Sequence, residues 1–157
     1  ALATWQKAEA LFSSLKDTTG VVQSRINQAQ AWQILGFYRR SLTTLTELRQ
    51  MLRTEPETLT QAIALRTLGD GLQLAGDLDL SNQVLRESLA IAQRLQASQQ
   101  ISEALSSLGN TAQIQQKPLE AIAFYQQAAE LSPSQLSRLQ AQVNQLSVIA
   151  NSPQHSQ

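Results

Sequence analysis

Residues 105–133 read LSSLGNTAQIQQKPLEAIAFYQQAAELSP. Leu108 and Gly109 fall on one apolar stripe, with Ala112 three residues on, then Ala121, Tyr125, Ala128 and Pro133. The small residues at 109, 121 and 128 allow two helices to approach closely, and Leu108 and Tyr125 fill the space between them. Pro118 ends one helix and suits the first turn of the next, where its missing N–H has no intrahelical partner to lose. The stretch therefore predicts an antiparallel helix pair.

The pattern recurs. An offset of forty residues carries Gly36 onto Gly76 and Gln116, Ala29 onto Gly69 and Gly109, and Trp32 onto Leu72 and Ala112. It carries Ser41 onto Ser81 and Ala121, and Leu45 onto Leu85 and Tyr125; one step back lands on Ala1 and Trp5. Small positions match small ones, and large apolar positions mostly match large ones. Leu-Gly followed by an apolar residue, Ala, an aromatic, Ala and Pro resembles the tetratricopeptide repeat, or TPR. The long period resembles the variant found in kinesin light chain and in Leu-Gly-Asn-repeat adaptors. The match is closest in the third repeat; the first departs from it at Arg25 and Gln28, usually apolar positions.

The expected fold is all-α: about eight helices in antiparallel succession, and, as the resemblance implies, a right-handed superhelical solenoid spanning 1–150. Residues 1–17 form an orphan second helix, with Leu2, Trp5, Ala8, Leu11, Phe12 and Leu15 at helical spacing. Gly20 is expected at its left-handed cap. Helix pairs follow at about 21–53, 57–96 and 98–131. The second pair is expected to open at Glu55-Pro56-Glu57, with Asp77 capping its second helix, and Ser98 to cap the start of the third. A capping helix at 133–150, opened by a Ser132 cap, spaces Leu136, Leu139, Val143 and Leu146 on one face and turns Gln, Ser and Arg to solvent. Residues 151–157 read as a disordered tail.

Composition excludes several functions. Twelve basic and twelve acidic residues are interspersed, so phosphate attraction cannot drive nucleic-acid binding. No apolar run approaches the roughly 18 residues of a membrane span, and no signal peptide is recognisable, which argues for a soluble chain and leaves its compartment open. Without an initiating Met, the chain reads as an excised domain or a processed product. The chain lacks cysteine, which rules out disulfides and thiolate metal sites. The one histidine, His155, lies in the expected tail. Asp77 and Asp79 read as a helix cap and a solvated neighbour rather than a catalytic pair. The Leu-Gly-Asp-Gly and Leu-Gly-Asn runs lack the strand and lysine of a phosphate loop. No catalytic residue, cofactor or metal is therefore expected, and the chain is not expected to be an enzyme.

What remains is a surface. In the repeats that this chain resembles, first helices line the concave side. Carried over, the groove positions are Gln30, Gln33 and Ile34, then Arg66, Thr67, Asp70, Gln73 and Leu74, then Ser106, Ser107, Asn110, Gln113 and Ile114. Gln33, Gln73 and Gln113 stand in register, as do Ile34, Leu74 and Ile114. A carboxamide carries both a donor and an acceptor, so a column of them suits an extended peptide backbone. The expectation is a scaffold module that binds a protein or extended peptide, neither nucleic acid nor membrane, with end-to-end self-association through helix 1–17. Residues 1–42 further resemble bacterial proteins in which such repeats precede a CHAT domain, a caspase-like cysteine peptidase; any catalysis would then lie outside this sequence. The alternatives are the helical sensor region of a transcription regulator and a purely structural self-association repeat.

Overall fold

The computed structural model describes residues 2–151; Ala1 and residues 152–157, including His155, lie outside the described residues. The described residues form an all-α helical repeat of eight helices with no strand. These are α1 (Leu2–Ser14), α2 (Thr18–Ile34), α3 (Tyr38–Leu52), α4 (Leu59–Leu74), α5 (Leu78–Arg94), α6 (Ser98–Ile114), α7 (Pro118–Leu131) and α8 (Gln135–Ala150). Each packs against the next in sequence.

The repeat is set by its turns. Lys16, Gly36, Gly76, Gln96 and Gln116 all have positive φ, between 52° and 85°. Each closes a helix by the same pair of bonds. At the first, Lys16 N–H donates to the Ser13 carbonyl and Asp17 N–H to the Phe12 carbonyl; at the second, Gly36 donates to Gln33 and Phe37 to Trp32. This left-handed cap satisfies carbonyls that the helix end would otherwise orphan. The cap thus falls on Lys16, not on Gly20, which lies in the first turn of α2. The left-handed residues are spaced by twenty, so position 56 should hold another. Pro56 stands there instead, and its ring fixes φ near −65°. The regular three-residue turn is therefore replaced by the longer link 53–58.

Helix starts differ from expectation for local reasons. Asp17 and Asp77 cap α2 and α5, accepting from Gly20 N–H at 2.9 Å and Leu80 N–H at 3.3 Å. Thr58, rather than the Glu-Pro-Glu run, caps α4 by accepting from Gln61 N–H. Ala97 is the cap position of α6, which leaves Ser98 inside the helix. Ser134 caps α8, while Ser132 ends α7.

Burial follows the forty-residue register. Val22, Ile26, Ala29, Leu45, Leu48, Leu65, Leu68, Leu72 and Val84 form one continuous core. Tyr125 packs with Ala112, Ala121 and Val148 at the other end. Gly69 and Gly109 lie where the two helices of a pair touch. A Cβ on Gly69 would stand 2.5 Å from Leu85, and one on Gly109 would stand 2.6 Å from the Tyr125 ring. Buried serines bond neighbouring helices: Ser81 Oγ donates to the Gly69 carbonyl, Ser88 Oγ to that of Ala62, and Ser102 Oγ to that of Ala128.

Helices α2, α4, α6 and α8 also touch in succession, whereas no comparable contact joins α3, α5 and α7. Long side chains span the second row instead. Arg49 of α3 pairs with Glu87 of α5, and the Arg86 guanidinium lies 5.7 Å from the Phe124 ring of α7. One row is thus tight and the other open.

The two ends differ from the middle. In α1 no residue is fully buried, and Trp5, Leu11 and Leu15 are exposed. A polar cluster holds α1 to α2: Glu9 accepts from Arg25 Nε at 2.7 Å and from Gln28 Nε2 at 2.7 Å. This gives the polar residues at 25 and 28 their partner. Burial pushes the Glu9 carboxyl up, but the hydrogen bonds from Arg25 and Gln28 and the Arg25 charge outweigh it and hold the carboxyl below its ordinary value. A depressed carboxylate stabilises the fold above its unfolded pKa, and that contribution is lost as pH falls through the folded one. Acidification from about pH 6 to about pH 3 is therefore expected to free α1 before the central helices. Hydrogen exchange checks this: α1 amides that stay as protected as those of α4 through acidification would contradict it.

At the other end, α8 reverses the expected orientation. Ala141 and Val148 are its buried residues, while Leu136, Leu139, Val143 and Leu146 face outward. The inner side of α8 meets small residues, Ala128 and Ala129 of α7, and Ala141 fits against them.

Candidate functional site

The tight row carries an open groove of about 580 Å³ between α4, α6 and α8. Its lining includes Arg66, Asp70, Gln73 and Leu74 of α4, Glu103, Ser106, Ser107 and Asn110 of α6, and Leu136, Ser137 and Gln140 of α8. Helical periodicity aims each set into the same space: 66, 70 and 73 lie on one face of α4, and 103, 106 and 110 on one face of α6.

An ion-pair network forms the groove floor. Arg66 reaches Asp70 at 3.1 Å within α4 and Glu103 at 3.2 Å across to α6. Gln99 Nε2 donates to Glu103 Oε1 at 2.7 Å. One guanidinium thus serves two carboxylates. Burial pushes the Asp70 carboxyl up, offset only in part by the Arg66 charge and by hydrogen bonds from Ser107 and Arg66. The sign is opposite to that of Glu9: a raised carboxyl favours the fold when protonated, so Asp70 does not contribute to acid loosening.

Of the residues expected from sequence, the groove gathers Arg66, Asp70, Gln73, Leu74, Ser106, Ser107 and Asn110. Gln30, Gln33, Ile34, Thr67, Gln113 and Ile114 do not line it. The carboxamide column is engaged in the stack itself. Gln33 Nε2 donates to the Thr67 carbonyl at 3.0 Å, and Gln73 Nε2 donates to Thr111 Oγ1 at 3.0 Å, each joining one pair to the next. Gln30 Nε2 reaches Thr67 Oγ1 at 3.5 Å, and Gln113 Oε1 accepts from the Tyr125 hydroxyl at 3.1 Å. Asn110 Oδ1 accepts from the same hydroxyl at 2.6 Å, so Asn110 is part groove wall and part buried network. The apolar column behaves differently: Ile34, Leu74 and Ile114 are 86%, 55% and 54% exposed.

Sequence reasoning missed Glu103 and the contribution of α8. Glu103 was legible as the residue seven before Asn110, two turns along the same helix face. Leu136 and Gln140 were not, because their position depends on the orientation of α8.

A second cleft, of about 260 Å³, opens between α3, α4 and α5 on the other row. Four of its five charged lining residues are paired, Arg49 with Glu87 and Arg94 with Glu57. Among the described residues no cluster of His, Cys, Asp or Glu could hold a metal ion, and no helix is long and apolar enough to cross a membrane. Compared with known proteins, the chain matches no family model and no curated protein.

Proposed function

We propose that the chain is a TPR-type protein-interaction module that takes an extended peptide in the groove along α4, α6 and α8. The observation that carries this reading is the groove itself: polar hydrogen-bonding groups of α6 converge beside exposed apolar residues of α4 and α8. Ser106 and Asn110 offer bonds to a peptide backbone, while Leu74 and Leu136 offer contacts to its side chains. Few of the lining residues are charged, and those are paired, so binding depends weakly on salt. No catalytic group belongs to this reading. The resemblance of residues 1–42 to CHAT-associated bacterial proteins assigns any chemistry to a peptidase domain elsewhere in a longer protein.

The test is a random extended-peptide library panned against the chain. Enriched peptides are expected to lose at least about tenfold in affinity on Leu74→Asp or Ser106→Arg, a loss of about 1.4 kcal/mol. Both positions are exposed or half-exposed, so the fold is expected to tolerate the changes. Arg53→Ala on the other row should leave binding intact. Enriched peptides that respond to Arg53→Ala and ignore both groove variants would move the site to the second cleft. A second reading, end-to-end association through α1, is favoured by the exposed Trp5 and Leu11, which stand forty residues before the buried Leu45 and the partly exposed Met51 face of α3.

A further inference from the structure

The break in the repeat at Pro56 shapes the second cleft, between α3, α4 and α5. Arg94 ends α5 and stands forty residues beyond Thr54, but α3 stops short of that position, at Leu52. The irregular link that follows brings Arg53 and Glu57 to the rim of the cleft. The floor is apolar: Leu52, Ala64, Leu65 and Ile91 line it, each at most 7% exposed. A cavity of about 150 Å³ accepts a benzene-sized molecule. The cleft holds about 260 Å³, room for a small ligand and less than half the volume of the groove.

The charges on the rim do not balance. Three are arginines, at 49, 53 and 94, and two are glutamates, at 57 and 87. Arg49 donates twice to Glu87, and Arg94 twice to Glu57. Each of these guanidiniums is thus engaged as a fork by its own carboxylate. The Arg53 side chain has no ion pair or hydrogen bond among the described residues. It stands one turn beyond Arg49 on the same side of α3. It also lines the polar hollow next to the cleft, with Thr46 and Gln50.

A surplus guanidinium above an apolar floor selects an amphiphile. A bare inorganic anion would leave the floor uncovered, and an uncharged apolar molecule would leave Arg53 unpaired. A carboxylate matches the guanidinium fork, and a branched aliphatic stem matches the leucine and isoleucine beneath it. We infer that the second cleft binds a small branched aliphatic carboxylic acid, its carboxylate on Arg53 and its stem on Leu52, Leu65 and Ile91. The inference does not rest on the groove reading, because cleft and groove share no residue.

Titration of the isotope-labelled chain with isocaproate, followed by NMR, tests it. The expected result is a set of saturable amide shifts gathered at 49–65 and 87–94. Arg53→Gln is expected to weaken binding at least about tenfold. Arg39→Gln, which removes an equal charge elsewhere on α3, should leave it unchanged. Arg53 is exposed and unpaired, so the fold tolerates its loss, and circular dichroism verifies this. Ala90→Leu fills the cleft from α5 and is expected to abolish the shifts. Two analogues divide the recognition. Isocaproamide keeps the stem without the charge, acetate keeps the charge without the stem, and each should bind at least about tenfold more weakly. A chain that shows no saturable shift overturns the inference, as does an affinity indifferent to Arg53→Gln. Isocaproamide that binds as tightly as the acid overturns the carboxylate assignment. Shifts gathered on α6 and α8 would place the acid in the groove and overturn it too.

Discussion

Gly109→Leu is expected to destabilise the chain by about 3 kcal/mol, the upper end of overpacking costs. For a chain of this size that lowers the melting temperature by about 6–12 °C. The cause is a contact with no slack. An added Cβ alone would lie 2.6, 2.8 and 3.0 Å from three atoms of the Tyr125 ring. The ring is fully buried and tethered through its hydroxyl to Asn110 and Gln113, so it cannot swing aside. Either α6 and α7 separate or the tether breaks. Urea unfolding measures the cost, and an unchanged midpoint would refute the forty-residue register in which Gly109 faces Tyr125. A double-mutant cycle sharpens the point: Gly109→Ala should cost less in a Tyr125→Ala background, because the cavity left there receives the new methyl.

Tyr125→Ala alone is expected to cost about 3–5 kcal/mol, as large aromatic-to-alanine changes in a core do. The side chain is the largest among the fully buried ones and packs against Ala112, Ala121 and Val148. Tyr125→Phe separates the polar part. It keeps the ring and removes a hydroxyl that donates to two acceptors, at a cost of about 1–3 kcal/mol for the acceptors left unpaired. Asn110 borders the groove and Gln113 is exposed, so both acceptors can recruit water, which sets the expected value near the lower bound. Burial pushes the phenol pKa up to about 12, so the hydroxyl remains a donor throughout the neutral range. A Phe variant as damaging as the Ala variant would show that the hydrogen bonds, not the ring, hold α6 to α7.

The fold was legible because its determinants repeat. Gly36, Gly76, Gly69 and Gly109 fall forty residues apart in two series, and glycine is needed either at a left-handed turn or at a close helix contact. Lys16, Gln96 and Gln116 make the same turn without a glycine, so composition alone concealed three of the five. Their twenty-residue spacing was nevertheless present in the numbering. The orientation of α8 was not legible. Its apolar stripe pointed to a buried face, but the surface it meets is mostly alanines beside the Tyr125 ring, and only Ala141 and Val148 are buried there. The groove was half legible. Spacing placed Arg66, Asp70 and Asn110 on facing surfaces, yet it could not show that Gln33 and Gln73 reach sideways to Thr67 and Thr111. A glutamine on a helix face is equally suited to a ligand and to the next helix, and only the distance between the helices decides.

The arrangement of contacts along the chain has a kinetic consequence. Among the described residues, every substantial helix contact joins helices one or two places apart in sequence, so none of them closes a long loop. The entropy lost before the first native contact is correspondingly small, and chains with such local contacts fold in microseconds to milliseconds. Structure can begin in α4 to α7, where paired glycines, buried serines and the Tyr125 network coincide, and spread outward one helix at a time. The end helices are then the last to form and the first to open, and both expose apolar side chains. Whatever seats itself on α1 or α8 thereby acts as a clamp on the final steps of folding, slowing the opening of the whole array from its ends.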